Sequence, residues 1–258
     1  MKLILNEKEI LEKSLNEGFV DTDKPTNTIR ILAKHYLSIG MNRPQTIFSI
    51  DKFFSDNYKG YNTVKWQNTI EKIVNSIHKN KDYKLINIEK VEITENELER
   101  IRNINNDRLE RLTFTLLVYA KIFNQLNENE TNWVNSEHKY IFSDARVAVK
   151  VREQGEMFYK LREFGLIDIS KKVDCTNIKI NIVDKESKVL ITITDFRNFV
   201  YEYLKWKGDK IGNCENCGIL IKLTNGNLKY CKECAKKVWN DYNKKKQKEY
   251  YNKNKKSV

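Results

Sequence analysis

Proline and glycine are scarce in this chain. Only two prolines, Pro25 and Pro44, occur in 258 residues, together with nine glycines. Proline breaks helices and central strands, and glycine weakens both. Their scarcity, combined with abundant Lys, Glu, Leu and Ile, favours helix. The sequence therefore predicts a mainly α-helical protein with small β-hairpins, which is an α+β fold.

Long apolar runs are also absent. No stretch approaches the length of about 18 uncharged apolar residues that would indicate a transmembrane helix. The N-terminal sequence MKLILNEKEI becomes charged by Glu7 and lacks the apolar core and cleavage site of a signal peptide. We therefore expect a cytoplasmic protein that has no membrane partner.

Motifs of common enzymes are missing as well. The chain contains no phosphate-binding GxxxxGK[ST] loop, no GxGxxG, no HExxH and no GxSxG. Its three histidines, His35, His78 and His138, are isolated from one another, and its carboxylates, as in ENELER, have the spacing of a helix surface. The sequence gives no catalytic residues, and we expect that the protein is not an enzyme.

Positive charge is abundant and unevenly placed. The net charge is +12, and residues 235–258 contribute +7 of it, with nine lysines against Asp241 and Glu249. A basic tail of this kind indicates a polyanionic partner, most commonly nucleic acid. The candidate nucleic-acid contacts in the tail are Lys236, Lys237, Lys244, Lys245, Lys246 and Lys248.

Aromatic residues are interleaved with these lysines. Trp239, Tyr242, Tyr250 and Tyr251 would stack on bases if the target were single-stranded. Val238 and Tyr242 lie four residues apart, so we expect them to pack on the module that precedes the tail. The alternative is a solvated, partly disordered tail that only aids solubility.

Four of the five cysteines form two close pairs, Cys214 with Cys217 and Cys231 with Cys234. Two intervening residues let both thiolates of a pair reach one metal ion, and two pairs complete a tetrahedral zinc site. Four thiolates leave no open coordination position, so the sequence predicts one structural Zn²⁺. A dithiol redox site would need a thioredoxin-like sheet, which the sequence does not supply.

The segment around these cysteines predicts a small metal module. Gly218 follows the first pair, and Asn225-Gly226 favours a type I′ turn between two alternating segments. The chain turns helical after Cys234. Knuckle, hairpin, knuckle and helix are the order of a zinc-ribbon or treble-clef-like module. The fifth cysteine, Cys175, is interpreted as a free thiol.

Residues 108–194 have the order helix, short strand, helix, helix, strand, turn, strand, strand, which is that of a winged helix. Helix 153–164 would then enter a major groove as the recognition helix. The basic residues expected to face phosphates or bases are Arg146, Lys150, Arg152, Lys160 and Arg162. The alternatives are a small α+β core with a solvated basic face, and a protein-docking module.

Three domains are predicted. Residues 1–94 form an N-terminal helical domain in which residues 28–94 loosely repeat the winged-helix order, residues 95–207 form the winged-helix-like domain, and residues 208–258 form the zinc module with its Lys-rich helix. Asp195 is expected to cap a helix that begins at FRNFVYEYLKWK.

The second half resembles a group of phage, prophage and plasmid proteins of Gram-positive bacteria. The resemblance lies in LERLTFTLLVYAKIF, FGLIDISKKVDCTNIKINIVD, ITDFRNFVYEYLK, CENCGILIK and KYCKECAKK, and it covers roughly residues 92–245. It implies a mobile-element protein in a bacterial host cell, with a winged helix and a zinc module.

These features lead to three functional hypotheses. The first is a protein that binds duplex DNA in replication initiation or transcriptional regulation of a mobile element. The second is a phage protein that binds a host protein, such as a polymerase or a defence nuclease, and inhibits or redirects it. The near-neutral body of the chain suits this hypothesis. The third is an RNA-binding regulator.

Overall fold

The structure is a computed structural model that describes residues 5–170, 177–224 and 228–255, with the side chains of residues 250–255 excepted. It divides into two compact units, one ending at Glu89 and the other beginning at Lys90. Within the described residues, no helix is both long and apolar enough to cross a membrane. Cys175 and the predicted Asn225-Gly226 turn lie outside the described residues.

The first unit consists of helices α1 (Glu7–Glu17), α2 (Pro25–Ser38), α3 (Arg43–Asn57) and α4 (Thr63–Asn80). Helix α2 lies among the other three and contacts each of them. Its apolar residues pack with those of α3 and α4 because each helix buries one apolar face. The fully buried side chains of this core include Ile29, Leu32, Ile50, Phe54 and Ile70.

Asparagine side chains mark where the helices begin. Asn6, Asn42 and Asn62 each accept a hydrogen bond from a backbone N–H three residues later, at 3.0, 3.0 and 3.1 Å. Such caps satisfy N–H groups that have no partner inside the helix. The central helix of the second unit is capped in the same way by Asn106.

The second unit contains the other helices and all the described strands. Its helices are α5 (Glu95–Arg102), α6 (Asp107–Asn127), α7 (His138–Asp144), α8 (Val151–Glu163), α9 (Val200–Trp206) and α10 (Lys232–Lys255). Its strands are β1 (Val91–Thr94), β2 (Trp133–Val134), β3 (Ile167–Ile169), β4 (Ile178–Ile180), β5 (Val189–Ile193), β6 (Ile211–Asn213) and β7 (Leu220–Lys222).

The strands form three small antiparallel sheets. Their orders are β1-β5, β2-β4-β3 and β6-β7. Helix α6 lies at the centre and buries most of its length, including Leu112, Phe114 and Leu117. A mixed fold of helices with small antiparallel sheets is therefore confirmed.

Residues 83–94 alternate in sequence as a strand or hairpin would, at the place where the winged-helix order of residues 28–94 ends in a β pair, but the structure differs. Only Val91–Thr94 forms a strand, and its partner is β5 rather than a neighbouring segment. The described part of the first unit shows only an isolated bridge between Asn6 and Asn87. The described residues of the first unit therefore lack the β pair expected in a second winged-helix-like unit. Strand β1 pairs instead with β5, which lies about a hundred residues later in the chain.

The predicted cap at Asp195 is wrong. Helix α9 begins at Val200, and its N-cap is Phe199. The Asp195 carboxylate instead accepts hydrogen bonds from the side chain and the backbone N–H of Arg197. This Asp–Arg pair holds residues 195–199 in a loop, which delays the start of the helix.

Two buried glutamates tie the elements of the second unit together. Glu97 accepts hydrogen bonds from the backbone N–H of Asp184 at 2.8 Å and from Lys121 Nζ at 2.7 Å. Glu110 accepts from the Tyr203 hydroxyl at 2.8 Å and from Lys207 Nζ at 2.7 Å. Buried carboxylates require such partners, so these contacts fix α5, α6 and α9.

Candidate metal centre

The two cysteine pairs meet in space. Cys214 directly follows β6, Cys217 lies in the turn after it, Cys231 directly precedes α10, and Cys234 lies in the first turn of that helix. Their four sulfur atoms lie within 4.8 Å of one another. The predicted hairpin between the two cysteine pairs is wrong, because β7 pairs with β6 across the first pair and the described residues 228–230 form no strand. This pairing and the start of α10 bring the two cysteine pairs together.

Each pair is held by backbone hydrogen bonds. Gly218 N–H donates to Cys214 O at 2.9 Å, and Cys214 N–H donates to Ile219 O at 2.9 Å, which closes a tight turn around the first pair. Gly218 has φ +73°, a conformation that favours glycine. The second pair is set by the helix itself, where Ala235 N–H donates to Cys231 O at 2.8 Å.

Polar N–H groups point at the sulfurs. The backbone N–H of Cys231 donates to Cys214 Sγ at 3.3 Å, and the Asn216 side-chain amide donates to Cys234 Sγ at 3.3 Å. Burial raises the pKa of the Cys214 thiol, but the N–H groups of Cys231, Asn216 and Cys217 outweigh it and lower the pKa to about 6.

Cys234 responds in the opposite direction. The Asn216 amide lowers the pKa of this thiol, but burial and the three neighbouring sulfurs raise it to about 12. The lowered pKa of Cys214 is therefore accompanied by a raised pKa of Cys234. Four thiolates at this separation would repel one another unless a cation lay between them.

The donor set fits one tetrahedral metal ion. Cys217 Sγ and Cys231 Sγ are 3.8 Å apart. Metal–sulfur bonds of about 2.3 Å in a tetrahedron place the sulfurs about 3.8 Å from one another. All four cysteines are free thiols, two of them buried and two half-buried. The four predicted ligands are therefore brought together in a geometry compatible with metal binding.

Few apolar side chains support this site. Ile221 is the one buried apolar residue other than cysteine in the described cluster around it, with Ile219, Leu223 and Tyr230 half-buried beside it. So small an apolar core contributes little folding free energy. A bound metal ion would supply most of the stability of this segment.

Sequence reasoning missed the loop that attaches the metal module to the rest of its unit. Arg197 Nη2 donates to Cys217 O at 3.1 Å, and Asn198 Nδ2 donates to Leu220 O at 2.9 Å. Asn198 in turn accepts a hydrogen bond from Arg146. The sequence signal is the three polar residues Asp195, Arg197 and Asn198, and the sequence pattern places Arg197 and Asn198 in a helix.

Helix α10 begins at the cysteines, and most of its described side chains after Cys234 are exposed. Val238, Trp239 and Tyr242 are 44%, 63% and 49% exposed, so the predicted packing of Val238 and Tyr242 on the metal module is wrong. All six candidate lysines of this helix are exposed, namely Lys236, Lys237, Lys244, Lys245, Lys246 and Lys248.

The candidate basic residues around α8 are also exposed, but their surroundings differ. Helix α8 carries three basic residues and three glutamates, so its net charge is zero. Arg152 Nε lies 3.3 Å from Glu156 Oε1, which makes an ion pair within the helix. The Arg146 guanidinium donates a hydrogen bond to Asn198, and its Cζ lies 6.0 Å from the centre of the Tyr201 ring. Lys150, Lys160 and Arg162 complete the predicted set.

Comparison with known proteins finds no matching family model, no significantly similar curated protein and no significantly similar solved structure.

Proposed function

We propose that this chain is a nucleic-acid-binding protein whose main contact element is α10. One observation carries the proposal. A helix rich in lysine projects from the cysteine cluster with every candidate lysine in solvent. Lysines in this arrangement bind phosphates and displace the counterions of nucleic acid. A role in replication or transcription of a mobile element accords with the resemblance of residues 92–245.

Zinc is the metal that suits the cluster best. Four thiolates with tetrahedral spacing are the ligands of structural zinc, and no position remains for a substrate or water. In this proposal the ion has no catalytic step. It fixes the β6-β7 hairpin and the first turn of α10, as in a zinc-ribbon or treble-clef-like module, and so sets the direction in which the lysines project.

The order α6, β2, α7, α8, β3, β4, with β2, β4 and β3 in one sheet, supports a winged-helix-like core. The equivalent of a recognition helix would be α8. Its zero net charge gives little attraction for phosphate, so we assign the electrostatic contacts to α10 instead.

Affinity for a labelled blunt DNA duplex, measured by fluorescence anisotropy at several salt concentrations, tests this function. Replacing Lys237, Lys244, Lys245 and Lys248 together by alanine should weaken binding. It should also reduce the slope of log K against log salt by about 0.9 for each phosphate that the protein no longer neutralises. The matched control replaces Arg152, Lys160 and Arg162 of α8 by alanine and should change the slope less.

Two outcomes would contradict the proposal. No affinity of the wild-type chain for duplex or single strand at low salt would exclude the function. A larger loss of affinity in the α8 variant than in the α10 variant would move the contact surface to α8.

A second candidate function has its own supporting observation. On the exposed face of α8, Val151 is 82% and Tyr159 is 58% exposed, and Phe164, just beyond the helix, is 58% exposed. Gly155 lies between Val151 and Tyr159 and opens a shallow depression lined also by Glu156 and Glu163. A neutral helix face with exposed apolar side chains suits protein docking better than DNA.

A pull-down from nuclease-treated bacterial lysate tests the docking hypothesis. One stoichiometric protein partner should be retained by the wild-type chain and lost by a variant with Val151→Asp and Tyr159→Asp. The matched control carries Phe48→Asp, which changes an exposed aromatic residue of α3. Retention of the partner by the α8 variant would argue against this surface.

A further inference from the structure

We propose that one face of α10 stacks on unpaired bases, so that the protein binds single-stranded nucleic acid in preference to duplex. The inference rests on the proposed function and names the form of nucleic acid that the helix recognises. The face consists of Trp239, Tyr242 and Lys246, and we call it the aromatic face.

The three side chains of the aromatic face form a continuous row. The Trp239 and Tyr242 rings are stacked, with centroids 6.0 Å apart and planes inclined by 26°. Lys246 Nζ lies 5.2 Å from the centre of the Tyr242 ring. The spacing of three and then four residues places them on one side of the helix. Trp239 therefore lies at one end of the row, with 63% of its surface exposed.

Exposure makes this row unusual. Trp239 is 63% exposed, although tryptophan is among the most apolar side chains and is mostly buried in proteins. Most of its surface stays exposed in the described part of the chain, with the Tyr242 ring stacked beside it. An aromatic surface that stays in water can receive a planar partner, and nucleobases are planar.

Charge argues for nucleic acid over a second copy of the chain. Residues 235–249 carry six lysines against Asp241 and Glu249, a net charge of +4. Pairing two such helices along the aromatic face would bring like charges together. A single strand supplies the opposite charge from its phosphates and the planar surface from its bases.

A lipid surface suits the helix less well. An interfacial helix needs a long, continuous apolar face. Among the side chains that the structure describes, those that follow Tyr242 on the same side are Lys246 and Glu249, and both are exposed. The apolar part of the face therefore spans about two helical turns, from Ala235 to Tyr242.

Duplex nucleic acid does not present what the aromatic face would bind. In a duplex the flat surfaces of the bases are covered by their neighbours, and exposing one costs the energy of unstacking. Bases of a single strand present these surfaces freely. The lysines on the other sides of α10 can bind phosphates in both forms, but stacking adds affinity only for the single strand.

The test compares probes that separate phosphates from bases. Fluorescence anisotropy measures binding of the full-length chain to oligothymidylate, oligouridylate, an abasic strand of the same length and a blunt duplex, each about 12 nucleotides long. Trp239→Ala should weaken oligothymidylate binding about tenfold, which corresponds to about 1.4 kcal/mol. The same substitution should change abasic-strand and duplex affinity by less than about twofold.

Matched variants sharpen this comparison. Trp239→Phe keeps a smaller aromatic surface and should recover part of the lost affinity. Phe48→Ala removes an aromatic side chain that is 69% exposed on α3 and should leave all affinities unchanged. The oligouridylate probe distinguishes RNA from DNA as the source of the unpaired bases.

The possible failures are distinguishable. If the wild-type chain binds none of the probes, the proposed function fails. If it binds but Trp239→Ala weakens all probes equally, the stacking inference is overturned and the proposed function stands. A wild-type dimer in sedimentation that Trp239→Ala converts to monomer would overturn the inference, because the face would then belong to a second copy. So would binding to anionic lipid vesicles that only Trp239→Ala abolishes.

Discussion

At the scale of single residues, Asp184 shows how one carboxylate can secure a loop. It lies between β4 and β5, where its side chain accepts hydrogen bonds from Thr94 Oγ1 at 2.9 Å and from the backbone N–H of Ser187 at 3.1 Å. The Ser187 hydroxyl also donates to it. These donors, the Ser187 hydroxyl foremost, favour the ionised form and lower the pKa of Asp184 to about 2.

The resulting pH dependence is testable with Asp184→Asn. Because the folded-state pKa is depressed, the stabilisation is present above the ordinary carboxylate pKa of about 4 and is lost as the pH falls towards 2. The difference in free energy of unfolding between wild type and Asp184→Asn, from urea titrations, should therefore be larger at pH 6 than at pH 3. Asp56→Asn, which removes an exposed carboxylate from α3, is the control. A difference that stays constant with pH would contradict this role of Asp184.

At the scale of elements, the sequence located the helices well because their apolar periodicity is strong. Helix α4 buries Ile70, Val74 and Ile77 on one face, whereas Val64 of its first turn, which has the same apolar spacing, is 85% exposed. The errors occur where one short contact outweighs local propensity. The Asp195–Arg197 pair delays the start of α9, and the pairing of β1 with β5 replaces a local hairpin. Periodicity carries no information about partners this distant in sequence.

Helix α8 contains a glycine that its structure does not require. Gly155 has nothing within 4 Å of the position where a Cβ would lie. Gly155→Ala should therefore raise the free energy of unfolding by about 0.5–1 kcal/mol through helix propensity, as measured by urea unfolding. Gly212→Ala is the control, because its Cβ would lie 3.1 Å from Leu223, and it should bring no gain. If Gly155→Ala destabilises the chain, this account of α8 is wrong.

The same substitution bears on the docking hypothesis. Gly155 lines the depression on α8. A variant that is more stable but loses the protein partner would show that the depression itself is used. A partner retained at full affinity would place the docking surface elsewhere on the chain.

At the scale of the whole molecule, the metal module is a small segment that is attached to the larger core of its unit. The apolar core of the metal module is minimal, and its described contacts to the rest of its unit include those from Arg197 and Asn198. Without a metal ion, repulsion between the sulfurs would oppose the fold. We therefore expect metal binding and the order of this segment to be coupled.

Metal removal should loosen the metal module while sparing the central helix. Metal analysis should give about one zinc per chain, lost on Cys214→Ser with Cys217→Ser and kept on Cys175→Ser. A strong chelator should then increase hydrogen exchange at β6, β7 and the first turns of α10, while α6 stays protected by its buried contacts. Unchanged exchange at β6 and β7 after verified zinc loss would show that the module folds without the ion.

The sequence by itself identified the four cysteines that cluster, because two close CxxC pairs are a typical pattern of metal ligands, and it identified most helices, because each must bury an apolar face. It also located the positive charge in the tail. Only the tertiary structure decided how that charge is presented. The spacing of apolar residues along a helix does not show whether another element packs on them. The sequence therefore could not reveal that Trp239 and Tyr242 of α10 are exposed to solvent. Nor could the sequence reveal that Arg197 and Asn198 donate hydrogen bonds to the metal module, because each bond joins residues about twenty positions apart.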